Sequence, residues 1–232
     1  MSPGNGKPEL VVTLDRLEIE PDPDEVLRYL GYPAGAEVTS GVRQRLQRAV
    51  DDARAQARPR GTYALYPIVH QDRHSLTLAG GVTFTGAIGE YLSGAGRAAV
   101  FVATAGPEVV SLAQEALRSR DTLRGLICDA IGSQLAEAVV ERIVDDLRGR
   151  AGPGESLTLR YSPGYCGISL RQQQTLFRLV EAGRIGVELL PTLIMKPVKS
   201  VSGLVGIGPK SAVAEYGNPC DRCPLLDCRM RR

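Results

Sequence analysis

Two short stretches of the chain gather side chains that can do chemistry. The first, Leu159-Arg160-Tyr161-Ser162-Pro163-Gly164-Tyr165-Cys166, puts a guanidinium, two phenols, a hydroxyl and a thiol on one strand-to-turn segment. Arg160 offers a planar fork to a carboxylate. Gly164 has no side chain, so backbone N–H and C=O groups can approach a ligand closely there. Tyr161 and Tyr165 each offer a ring face and a hydroxyl. Side chains alternate along a strand, so Arg160 and Tyr161 start on opposite faces and one tyrosine is expected to join Arg160. A zwitterionic ligand suits this set. A plain surface turn, with Arg160 paired to a nearby Glu and the tyrosines packed, would use the same residues.

The second stretch is Cys220-x-x-Cys223-x-x-x-x-Cys228 near the C-terminus. Cysteines at such spacing ligate zinc or an iron–sulfur cluster, and both usually want a fourth ligand. Cys166, beside the proposed ligand loop, is the candidate for it. Cys128 falls in a helical pattern and reads as an ordinary buried thiol. Free or redox-active thiols and an inert tail are the alternatives at this end of the chain.

Other chemistries fail on composition or spacing. The 232 residues carry 28 basic and 26 acidic side chains, a formal net charge of +2, which leaves no electrostatic footprint for nucleic acid. No apolar run reaches the roughly eighteen residues of a membrane helix, and the N-terminus has no apolar signal core, so a cytoplasmic location is expected. The only histidines, His70 and His74, stand four apart without the Glu of a zinc-protease helix and in a strand-like segment. Asp72-Arg73-His74 begins like a cobalamin-binding signature, but Thr77 stands where that signature needs Gly. The segment GLVGIGPKS lacks the spacing of a phosphate loop, and GAGRAA precedes a strand instead of following one.

The remaining pattern describes the elements that must position these groups. At 43% apolar residues the chain can bury a sizeable core. Residues Glu9 to Glu20 partly alternate and predict an opening strand. A short helix follows, with Asp22 as cap, Pro23 in its first turn and Gly31 at its end. Val42, Leu46, Ala49, Val50 and Ala53 predict an amphipathic helix over residues 39–57. TYALYPIVH and SLTLAGGVTFTG predict strands, with Gly80-Gly81 a turn or bulge, and a short helix, a continuous apolar strand AAVFVATAG and a helix opening at Pro107 come next. The longest helical period runs from Asp121 to Arg148. A strand then leads into the Arg160 loop, and a helix capped by Ser169 and two short extended pieces complete the series. The expected fold is α+β: one mixed domain over residues 1–208, with a twisted, largely antiparallel sheet flanked by helices, and a Cys-rich tail over residues 209–232.

Three separated motifs resemble the reactivation domain of cobalamin-dependent methionine synthase. They are Leu135-Ala136-Glu137-Ala138 on the long helix, Arg160-x-x-Pro163-Gly164-Tyr165, and Met195-x-Pro197 followed by Ser200-Val201-Ser202-Gly203. The likeness is clear from about Leu123 to Gly208 and weak over the first hundred residues. It implies a ligand, S-adenosylmethionine, with Arg160 on its carboxylate and Glu137 countering its ammonium or helping to orient its positive end. It places Tyr161, Ser162, Gly164, Tyr165 and Ser202 among the binding residues. One departure is that the further Tyr expected near Ser211 to Ala214 is missing, and Tyr216 is out of register.

The resemblance also implies partners. The chain looks like a stand-alone reactivation unit that supports reductive methylation of cob(II)alamin. The cobalamin would be presented by a methionine synthase or other corrinoid protein, and the electron would come from a donor such as flavodoxin or ferredoxin. A cluster held by Cys166, Cys220, Cys223 and Cys228 could relay that electron. The alternative is an accessory protein bearing zinc or an iron–sulfur cluster that docks on a corrinoid protein without transferring methyl groups.

Overall fold

The computed structural model describes residues 6–33, 35–165 and 167–213. Its centre is a seven-stranded sheet of strands β1 (Leu10–Leu14), β2 (Arg60–Gln71), β3 (Ser75–Leu78), β4 (Val82–Thr85), β5 (Arg97–Thr104), β6 (Glu155–Tyr161) and, last among the described residues, β9 (Ser200–Pro209). The order across the sheet is β4-β3-β2-β5-β9-β6, with β1 also on β2. Every pairing is antiparallel, as expected from the sequence. A separate two-residue ladder joins β7 (Glu188–Leu189) to β8 (Met195–Lys196). The helices are α1 (Pro23–Tyr29), α2 (Ser40–Gln56), α3 (Ile88–Tyr91), α4 (Pro107–Arg118), α5 (Thr122–Arg150) and α6 (Gln172–Phe177).

Local chemistry sets several boundaries. Asp22 Oδ1 accepts from the backbone N–H groups of Asp24 and Glu25, which starts α1 where the sequence predicts it. Thr39 caps α2 and Asp121 caps α5 in the same way. Ser169 does not cap a helix directly. Its Oγ accepts from Arg171 N at 3.3 Å, and α6 begins one residue later at Gln172.

The last strand departs most from the sequence reading. Its glycines suggest short extended pieces, yet β9 is a ten-residue strand between β5 and β6. The glycines are there because neighbours crowd the strand. A Cβ at Gly206 would stand 2.8 Å from Ala95 Cβ and 2.9 Å from Thr158 Cγ2.

Each face of the sheet has its own core. On one face Val100, Val102, Tyr161 and Leu204 pack with α3, α6 and the segment around Ile185. On the other, Tyr63, Phe101, Val205 and Ile207 pack against Val139, Val140, Ile143 and Leu147 of α5. The N-terminal half of α5 runs on into a third cluster with α1, α2 and α4, where Cys128 is fully buried. Burial pushes the Cys128 thiol pKa up, so it stays protonated and inert. Among the described residues, no helix is long and apolar enough to cross a membrane.

Candidate functional site

The register between β6 and β9 decides which way the Arg160 segment points. Arg160 lies opposite Val205, and Tyr161 opposite Leu204. Val205 belongs to the face under α5 and Leu204 to the other face. Arg160 therefore reaches α5, and Tyr161 goes into the opposite core. There Tyr161 is 3% exposed and stacks on Tyr91, with centroids 4.4 Å apart and planes within 7°.

On the α5 side, Arg160 Nη2 stands 2.6 Å from Glu137 Oε2, and Nη1 stands 3.4 Å from Glu141 Oε1. Glu141 helps neutralise the guanidinium but accepts no hydrogen bond from Nη1. Arg160 Nη1 is buried and makes none. One N–H edge of the fork thus lacks an acceptor while its charge is balanced by two carboxylates. The sequence pointed to Arg160 and Glu137 but not to Glu141. The signal was available, because four residues separate Glu137 from Glu141 and so place both on one helix face.

Next to this pair, β6 ends in the turn Ser162–Tyr165. Gly164 has φ +94°, a conformation side-chain-bearing residues avoid. Gly164 N–H donates to Ile168 O at 2.8 Å, and Tyr165 N–H to Ser162 O at 3.2 Å. These N–H groups serve the loop itself, contrary to the expectation that they would face a ligand. What the turn can offer is carbonyl oxygens, the Ser162 hydroxyl and the Tyr165 ring, which is 71% exposed. Ser202 pairs with Val102 and is buried. Two residues from Leu204, it faces Tyr161's side of the sheet. Of the seven binding residues read from sequence, Arg160 and Glu137 meet directly. Ser162, Gly164 and Tyr165 follow at the strand end, and Tyr161 and Ser202 lie on the far face.

A further polar group abuts α5 at the start of β9. Lys199 Nζ stands 2.8 Å from both Asp129 Oδ2 and Ser133 Oγ. Asp129 and Ser133 precede Glu137 by about two turns and one, so the same helix holds Arg160 of β6 and the residue that leads into β9.

Cys166, Cys220, Cys223 and Cys228 lie outside the described residues. Among the described residues no cluster of three or more His, Cys, Asp or Glu could hold a metal. Two surface clefts lie away from Arg160. One, of about 420 Å³, is lined by Asp72, Arg73 and Glu90 among others. The other, of about 540 Å³, lies between α2 and α5 and is lined by Arg45, Arg48, Asp51, Asp52, Asp121 and Arg124. Its charges are largely matched, with Arg124 Nη2 2.8 Å from Asp52 Oδ2 and Arg45 Nη1 3.2 Å from Asp121 Oδ1.

Among solved structures, a crystal structure of the MetH reactivation domain bound to AdoHcy is similar, with a TM-score of 0.68. The identity is 19%, over 94% of this chain and 85% of that one, so the likeness establishes the fold, including the first hundred residues. No curated protein matches the chain. The family described as the vitamin B12-dependent methionine synthase activation domain matches residues 88–218, more than half of the sequence, and the chain belongs to that family.

Proposed function

We propose that the chain binds S-adenosylmethionine at the seam between α5 and the end of β6 and presents its methyl group to a cobalamin carried by a methionine synthase or related corrinoid protein. The observation that carries this is the Arg160 guanidinium, charge-balanced by Glu137 and Glu141 but with a buried N–H lacking an acceptor. A ligand carboxylate would supply that acceptor. The second oxygen of Glu137 can take an ammonium, so one zwitterionic head group satisfies both partners without leaving a buried charge unmatched. Membership of the activation-domain family, and the AdoHcy held by the similar MetH domain, favour the same ligand class.

The implied chemistry is reductive methylation. An oxidised, inactive cobalt centre takes one electron from a donor such as reduced flavodoxin or ferredoxin. It then takes the sulfonium methyl, and the sulfur leaves as the neutral thioether of S-adenosylhomocysteine. This chain's residues need no acid or base for that step. They anchor the amino-acid end so that the methyl is held in line, and they exclude water.

The test mixes the protein with a cob(II)alamin-loaded partner, a one-electron reductant and methyl-labelled S-adenosylmethionine. Label should appear on cobalamin and depend on this chain. Label appearing equally fast without it sinks the proposal. The electron route through Cys166, Cys220, Cys223 and Cys228 rests on cysteine spacing alone. Iron and sulfide in anaerobically purified protein would support a relay. Zinc alone would leave a structural knuckle.

A further inference from the structure

Among the described residues, four buried side-chain polar atoms make no hydrogen bond: Glu108 Oε2, Gln134 Oε1, Arg160 Nη1 and Gln173 Oε1. Two of the four belong to one seam. Gln134 precedes Glu137 by three residues and Glu141 by seven, so the three side chains form one stripe along α5. The ion pairs of Arg160 with Glu137 and Glu141 show that this stripe faces β6. One residue earlier on α5, Ser133 holds Lys199, which immediately precedes β9. Gln134 lies on the Glu141 side of the stripe, away from Ser133, and it is only 8% exposed. The seam is open to solvent at Arg160 and Glu137, whose side chains keep 29% and 36% exposure, and closed at Gln134.

A buried carbonyl oxygen without a donor is a standing cost that packing alone does not explain, because Leu or Met would fill the same space without it. The unmet needs in the seam are complementary: one donor on Arg160 and one acceptor on Gln134. An α-amino acid carries an acceptor group and a donor group on a single carbon. Its carboxylate answers Arg160 Nη1. Its ammonium has three N–H groups, of which Glu137 can take one.

We propose that Gln134 Oε1 takes a second, making Gln134 a residue that selects for the ligand's amino group. This rests on the S-adenosylmethionine reading of the seam. Three residues along a helix is a rise of about 4.5 Å, so Gln134 and Glu137 can reach one ammonium. Gln134 adds direction without adding charge. It therefore separates an amino-acid ligand from the same nucleoside thioether lacking the amine, whereas Arg160 cannot.

The test is calorimetry with two probes, S-adenosylhomocysteine and its deaminated analogue, on the wild type, Gln134→Leu, Gln134→Glu and Arg160→Ala. Gln134→Leu should bind S-adenosylhomocysteine about ten- to a hundredfold more weakly and the deaminated probe almost as the wild type does. Gln134→Glu, which supplies a carboxylate acceptor in the same place, should hold S-adenosylhomocysteine at or above wild-type affinity and not gain for the deaminated probe. If Gln134→Leu does not fold, the two probes on Gln134→Glu decide: equal weakening of both overturns the assignment. Gln134→Leu binding both probes like the wild type, or losing both equally, overturns it while Arg160→Ala still loses both. A wild type that binds neither probe overturns the underlying ligand reading, and the role of Gln134 with it.

Discussion

Arg160 and Tyr161 are neighbours in sequence and opposites in environment. Tyr161 enters a core in which its ring is stacked and covered. Arg160 enters a seam in which charge is balanced but hydrogen bonding is incomplete. One strand thus has a face completed by folding and a face with bonds still to be made. The charged cluster at the other end of α5 sharpens the contrast. There Arg124 bonds Asp52, Arg45 bonds Asp121, and none of these side chains has a buried atom without a partner. A dense array of charge is therefore a poor guide to a ligand site. Unmet directional bonds in a buried place are a better one.

Substitutions on the completed face should act on stability. Tyr161→Ala removes a fully packed ring and should cost roughly 3–5 kcal/mol in denaturant unfolding. A loss below about 1 kcal/mol would mean the stack on Tyr91 carries little of the core.

Next in size is a satisfied polar contact under α5. The Tyr63 hydroxyl donates to Asp146, which also pairs with Arg150. Tyr63→Phe should cost about 1.5–3 kcal/mol at pH 7, where the acceptor is charged. Burial pushes the Asp146 carboxyl up, but hydrogen bonds from Arg150 and Tyr63 hold it below its ordinary 3.8. Its contribution is complete above that ordinary value and is lost as pH falls through the lower folded value. The gap between the wild type and Tyr63→Phe should therefore close in acid. A gap independent of pH would show that the hydroxyl does not act through the carboxylate. Burial, and then the bond to Asp146, push the Tyr63 phenol well above its ordinary 10.0, so wild-type stability should also fall as pH rises past that value.

Gly164→Ala forces a side chain into φ +94° and should lower stability by about 1–2 kcal/mol. Because the turn carries Tyr165 beside Arg160, ligand binding should weaken with it, and unchanged binding would remove the turn from the site. The smallest effect belongs to Arg124→Ala. Loss of a half-exposed pair should cost about 0.2–1 kcal/mol and leave ligand affinity unchanged. Weakened binding in this variant would dissolve the distinction between the two charged regions.

Much of the fold was legible because local rules agreed with tertiary need. Asp22, Thr39 and Pro107 mark helix starts that the structure keeps. The continuous apolar run of β5 reads as a strand buried on both faces, and it lies between β2 and β9. The sequence failed at β9 because its glycines look like breaks. Their reason, close approach of Ala95, Thr158 and Phe101, is visible only in three dimensions. In the site, alternation along β6 correctly separated Arg160 from Tyr161. Motif likeness grouped Tyr161 and Ser202 with Arg160, although register puts them across the sheet. Gln134 left no signal, since a Gln in a helix is ordinary until its carbonyl is found buried without a donor.

One measurement bears most directly on the seam: parallel calorimetric titration of S-adenosylmethionine into the wild-type chain and into Arg160→Ala. Saturable binding to the wild type, about ten- to a hundredfold weaker in a variant that still unfolds cooperatively, is the result expected if the unmatched edge of Arg160 receives the ligand carboxylate. Equal affinity in both proteins, or no binding to the wild type, would contradict it.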